Sequence, residues 1–112
     1  KNLSAEQSIK ILQFSLWRLE GLSTWSRELI ESNLLDLAEQ MNFKVRDFLF
    51  PLFVSISGSA VSTSVMDSLV ILGLDLSRAR VRHAIAVLGG VSKKLSKTLE
   101  KEYRALKKRA PE

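Results

Sequence analysis

The sequence predicts an all-α domain, a compact bundle of about six helices. Three observations predict the helices. Apolar residues recur at i, i+3 and i+4 spacing in the long segments. Capping residues stand at their starts, and glycine or asparagine at their ends. The connections are short, with no internal repeat and no low-complexity linker. At 112 residues there is room for one useful core, so residues 1–112 are read as a single domain.

The first helix opens on Ser4-Ala5-Glu6-Gln7, a capping box in which the hydroxyl and the amide satisfy otherwise orphan backbone N–H groups. Ile9, Leu12, Leu16 and Leu19 form its inner face and Gly21 stops it, while Trp17 falls beside the stripe. A second helix starts at Thr24 or Ser26 and turns Ile30, Leu34, Leu37, Ala38 and Met41 inward. Asn42 suits its left-handed terminator, and Trp25, just inside, is read as packing between the first two helices.

Lys44 to Ser57 is the difficult segment. Val45, Leu49, Leu52 and Ile56 make one stripe, yet Phe43, Phe48, Phe50, Phe53 and Val54 make it apolar almost all round. A β-strand over Phe50 to Ile56 competes, but Pro51 lacks the N–H that a central strand needs. The helix is preferred, with a kink or break expected at Pro51. After a turn at Ser57-Gly58-Ser59, a short fourth helix runs from Ser64-Val65-Met66-Asp67 to Gly73. A fifth runs from Asp75 or Ser77 to Leu88, with Val81, Ala84, Ile85 and Leu88 inward and Gly89-Gly90 closing it. Ser92 caps the last helix, whose stripe is Leu95, Leu99, Tyr103 and Leu106; residues 92–110 are read as a basic C-terminal extension.

Charge is distributed unevenly. The chain carries 17 Lys and Arg against 12 Asp and Glu. Through Phe50 the counts are 6 and 7, and from Pro51 onward 11 and 5. A one-sided positive field attracts polyanions, of which nucleic acid is the natural candidate and an anionic membrane surface the weaker one. The absence of cysteine removes thiolate chemistry and fits a reducing cytoplasm. A single histidine, His83, leaves little acid–base chemistry near neutral pH, and no phosphate loop or metal-ligand spacing occurs. No apolar run is long enough to span a membrane, no signal-peptide pattern opens the chain, and its start at Lys1 suggests a fragment of something larger.

From Trp25 to Ile85 the chain resembles the C-terminal anticodon-binding domain of bacterial-type glutamyl-tRNA synthetases. The resemblance is carried by ordered elements: Thr24-Trp25 with Glu28, Leu37-Ala38, and Lys44 to Ile56 running through Pro51-Leu52 into Ser57-Gly58. Then follow Ser62 to Ser64, Leu72-Gly73, and Arg80 with Ala84-Ile85. It implies one end of an enzyme that joins glutamate to its tRNA, with ATP and Mg used by a catalytic domain elsewhere in the same protein. This domain would hold the anticodon loop and carry no catalytic residue, cofactor or metal of its own. A monomer in the cytoplasm is expected, bound to glutamate tRNA, with glutamine tRNA as a second candidate partner.

The candidate tRNA-binding residues are Lys44, Arg46, Phe53, Arg78, Arg80 and Arg82. At the third residue of Pro51-Leu52-Phe53 the family commonly carries an arginine, so that charged contact cannot be transferred. Arg46, Phe50 and Phe53 share a helical face if Pro51 keeps the register, and Phe53 is read as stacking on a splayed base. The alternative is that both phenylalanines are buried. Arg78 and Arg82 share a face suited to phosphates; Arg80 points elsewhere, toward RNA or toward a structural partner such as Asp75 or a helix end. Lys94-Leu95-Ser96-Lys97 imitates the lysine–serine signature of class I synthetases but lies in a basic helix, from Lys93 to Arg109, with 8 basic residues and 2 acidic ones. Glu100 and Arg104 are spaced for an i,i+4 pair there. Two other functions remain open: a helical protein-interaction module docking through the phenylalanine-rich segment, and a small helical DNA-binding domain.

Overall fold

Helix α1 (Ala5–Glu20) is the hub of the bundle: α2 (Arg27–Gln40), α3 (Val45–Ser57), α4 (Val65–Val87) and α5 (Lys93–Arg109) all pack against it. The computed structural model describes residues 3–57 and 64–109. Neighbours on several sides explain why α1 buries Ile11, Phe14 and Ser15 besides Ile9, Leu12, Leu16 and Leu19. That band is wider than one stripe. The largest helix–helix interface joins α3 to α4.

The ends of the helices follow from local chemistry. Ser4 and Gln7 form the full capping box: the Gln7 N–H donates to Ser4 Oγ at 3.0 Å, and the Ser4 N–H donates to Gln7 Oε1 at 3.0 Å. Gly21 does end α1, but with φ −89 rather than a left-handed conformation. Ser26 is the N-cap of α2. At the other end Asn42 takes φ 65, the Phe43 N–H reaches back to the Ala38 carbonyl and the Asn42 N–H to that of Glu39, each at 3.0 Å. These two bonds are a Schellman closure, and they fix the direction in which the chain leaves for α3. Gly89 and Gly90 close α4 in the same way, onto Ala86 and Ile85.

The fourth and fifth expected helices are continuous in α4 except at Gly73, whose φ 80 and ψ 170 are non-helical. The stop signal was therefore placed correctly, although no loop separates the two halves. Trp25 lies before the α2 N-cap instead of inside the helix. It reaches α4, donating its indole N–H to the Leu69 carbonyl at 3.0 Å, and is half-buried against the core.

The third segment is a helix, as preferred over the strand, and only its core stripe needs correction. Helix α3 runs through Pro51 without interruption, so the register is kept. Its core stripe is Phe48, Leu52 and Ile56, with Pro51 also buried, whereas Val45 is 46% exposed and Leu49 is only half-buried. Phe48, Leu52 and Ile56 at i, i+4 and i+8 are the residues that meet the bundle. The Ser57-Gly58-Ser59 turn and Ser62 fall partly or wholly outside the described residues.

Arg27 on α2 reaches Asp67 on α4 at 2.7 Å, and Ser64 Oγ donates to the other carboxylate oxygen at 2.9 Å. Those two hydrogen bonds hold the Asp67 carboxyl below the ordinary aspartate range. A depressed folded-state pKa stabilises the fold above the unfolded pKa, and that contribution disappears as pH falls through the lowered value. Asp67→Asn should thus be less stable than wild type at neutral pH and indistinguishable in strong acid. Urea midpoints across that range measure the convergence.

Helix α5 is clasped to α1. Phe14 and Trp17 stack at 6.1 Å, and Tyr103 meets them at 5.3 and 5.4 Å between ring centroids. Arg18 donates through Nε to the Tyr103 hydroxyl at 3.0 Å and through Nη2 to Gln40 Oε1 at 2.9 Å, joining three helices. Lys10 pairs with Glu102 at 2.8 Å. The expected Glu100–Arg104 pair does not occur among the described residues.

Candidate nucleic-acid interface

The Schellman turn at Asn42 and the half-buried Phe43 behind it place the start of α3 at the surface. Lys44 and Arg46 are both exposed in this first turn, where the helix dipole is positive; Asp47 sits in the same turn. From Arg46 the exposed face continues one turn at a time to Phe50, 57% exposed, and Val54, 56% exposed. An uncovered phenylalanine directly above an arginine offers a flat apolar surface next to a charge, the pairing that unstacked bases and their phosphates require.

Phe53 stands at the edge of this face. It is half-buried and packs against the core, so the more open ring is that of Phe50. The two phenylalanines are therefore not both buried, since one of them faces solvent. Sequence reasoning put Phe50 on one face with Arg46, and read Phe53, the less exposed of the two rings, as the stacking one. The difference in exposure follows from a core stripe that runs through Phe48, Leu52 and Ile56.

The arginines of α4 divide three ways. Arg78 donates to Glu20 on α1 at 2.8 Å and to Asp75 at 3.2 Å. Arg80 turns the other way and donates to the Ile56 carbonyl at 2.6 Å, capping the last turn of α3. Arg82 is 64% exposed and only grazes Glu20 at 3.6 Å, leaving most of its guanidinium to solvent. Asp75 thus serves Arg78 and not Arg80. Because the Ile56 carbonyl would lose a charged donor, Arg80→Leu should lower stability by about 1.5 kcal/mol, the low end of such bonds for a half-exposed side chain. Thermal melts of the variant measure it. Lys94 to Lys97 lies on α5, a helix and not the nucleotide loop its lysine–serine look-alike serves. His83 is exposed on α4.

A bundle of helices that presents arginine, lysine and an open phenylalanine along one face has the make-up of a helical RNA-binding module. Comparison with known proteins makes the assignment specific: residues 1–85 match the family described as anticodon binding domain, and the chain belongs to that family. Among curated proteins it is 55% identical to the glutamate–tRNA ligase of Saccharophagus degradans over 104 residues, 93% of this chain and 21% of the relative. It is 49% identical to the glutamate–tRNA ligase of Cellvibrio japonicus over 110 residues, 98% of this chain and 22% of the relative. The ligase of Marinomonas sp. is 54% identical over 101 residues, covering 90% and 20%. The chain thus spans about a fifth of the length of these ligases. No helix among the described residues is long and apolar enough to cross a membrane.

Proposed function

We propose that this domain holds the anticodon loop of glutamate tRNA as one end of a glutamate–tRNA ligase. The catalytic part, in the remaining length of that protein, performs the ATP- and Mg-dependent glutamylation. The observation that carries this reading is the exposed Arg46–Phe50–Val54 stripe on a chain of the anticodon-binding family. In it Phe50 stacks on a splayed base, Arg46 and Lys44 hold adjacent phosphates, and Phe53 backs the stacking ring from the edge. Arg82 adds a further phosphate contact from α4, while Arg78 and Arg80 support the surface through Glu20 and the end of α3. None of these groups does chemistry. Their contribution is to position the tRNA so that its acceptor end reaches a distant active site.

This reading places the protein in the cytoplasm as a monomer. Glutamine tRNA is a second partner wherever the phenylalanines relax the discrimination that an arginine at position 53 would supply. Titration of the isotope-labelled chain with glutamate and glutamine anticodon stem-loops tests both points. Shifts should concentrate at amides from Lys44 to Val54 and around Arg82. No shift there at low ionic strength sinks the reading, and duplex DNA competing equally well transfers it to a DNA-binding role.

A further inference from the structure

Helix α5 carries a second charged surface, built differently from the face of α3. Its apolar stripe is used up on the bundle, with Leu99 and Leu106 buried and Leu95 and Tyr103 packed against the core. Lys93, Lys94, Lys97, Lys101 and Arg104 are all exposed. At 3.6 residues per turn these five cations fall within an arc of about 100° on the side opposite the stripe and extend about 16 Å along the axis. None of them is in an ion pair among the described residues. Of the two acidic residues nearby, Glu102 lies off the arc and is held by Lys10, and Glu100 only borders it. The clasp through Tyr103, Arg18 and Lys10 fixes which side of the helix faces out. Helix α5 also lies along the corner from which α3 departs: Phe43 lines the same cleft, of about 610 Å³, as Leu95, Leu99 and Leu106.

We infer that the outward face of α5 binds the phosphate backbone of the base-paired anticodon stem, without regard to nucleotide sequence. This inference rests on the anticodon reading above. The face supplies charge without stacking, because the one aromatic ring of α5 is turned inward against Phe14 and Trp17. Lysine ammonium groups are point charges that hold phosphates and do not read bases. A membrane surface fits less well, since an interfacial helix needs a free apolar side and α5 has committed its own to the bundle. The family match ends at residue 85, before α5, yet the alignment with the Cellvibrio ligase, 110 residues long, runs through it.

The test compares the chain with its Lys93→Gln/Lys97→Gln/Lys101→Gln variant, using glutamate anticodon stem-loop RNA, the same stem with a scrambled loop, and the loop oligonucleotide without a stem. Neutralisation should weaken both hairpins about tenfold and by the same factor, leave the stemless loop almost unaffected, and reduce the log–log salt slope by about two, at roughly 0.7–0.9 per phosphate. Replacing the same three lysines by arginine should retain binding. An unchanged hairpin affinity and salt slope in a neutralised variant of wild-type melting temperature overturns the inference. The anticodon reading survives that result if scrambling the loop still weakens wild-type binding. A variant that loses only binding to phosphatidylserine–phosphatidylcholine vesicles overturns the inference in favour of a membrane. A wild type indifferent to loop scrambling but sensitive to neutralisation removes the anticodon reading and keeps the phosphate face.

Discussion

Phe48→Ala should destabilise the domain by about 3–5 kcal/mol, the range for deleting a buried phenylalanine. Phe48 has no exposure and stands between α3 and the bundle with Leu52 and Ile56. The lost ring leaves both unburied transfer energy and a cavity that helices on either side cannot collapse. For a small domain whose total stability lies at about 5–15 kcal/mol, that is a large fraction. Thermal melts should show a fall of at least about 12 °C. A fall under about 3 °C would place Phe48 at the surface and rotate α3 by half a turn.

Two residues along, Phe50→Ala should do the opposite. The ring is 57% exposed, so the melting temperature should hardly move. Binding to the anticodon stem-loop should weaken by about 1–3 kcal/mol, the usual loss of one base–aromatic stack, or roughly five- to 150-fold. Fluorescence anisotropy with labelled hairpin measures it. Phe53→Ala is the informative partner: being half-buried against the core, it should lose some stability and a smaller share of affinity. If the two binding losses come out in the reverse order, Phe53 is the stacking ring and Phe50 its support.

These paired substitutions mark where sequence reading reached its limit. Most boundaries set by a cap were legible: Ser4 with Gln7, Asn42, Ser64, Gly89 and Ser92 each act through their own backbone neighbours, so a few adjacent residues suffice, whereas the start of α2 was left between Thr24 and Ser26. The Gly73 interruption was legible for the same reason, since glycine adopts φ 80 without steric penalty. The stripe of α3 was not. With Phe43, Val45, Phe48, Leu49, Phe50, Phe53 and Val54 all apolar, periodicity fits several rotations of the helix, and only contact with α1, α2 and α4 selects one. The arginine triplet was ambiguous in a different way. Its spacing separated Arg80 from Arg78 and Arg82, but the partners Glu20 and Ile56 are distant in sequence and come close only through the packing of α1 and α3 on α4. Trp25 likewise bonds to a carbonyl 44 residues away, which no local pattern announces.

The position of α1 has a consequence for how the protein is made. The hub is the first helix of the bundle to leave the ribosome, so each later helix emerges to find its docking surface already synthesised. Vectorial assembly then proceeds inward from a scaffold and avoids waiting for the far end of the chain. Phe14 and Trp17 wait longer for their cover, since Tyr103, which packs on both rings, is synthesised more than 80 residues after them. A nascent chain stalled before that point would carry a sticky spot that quality-control machinery can read as unfinished.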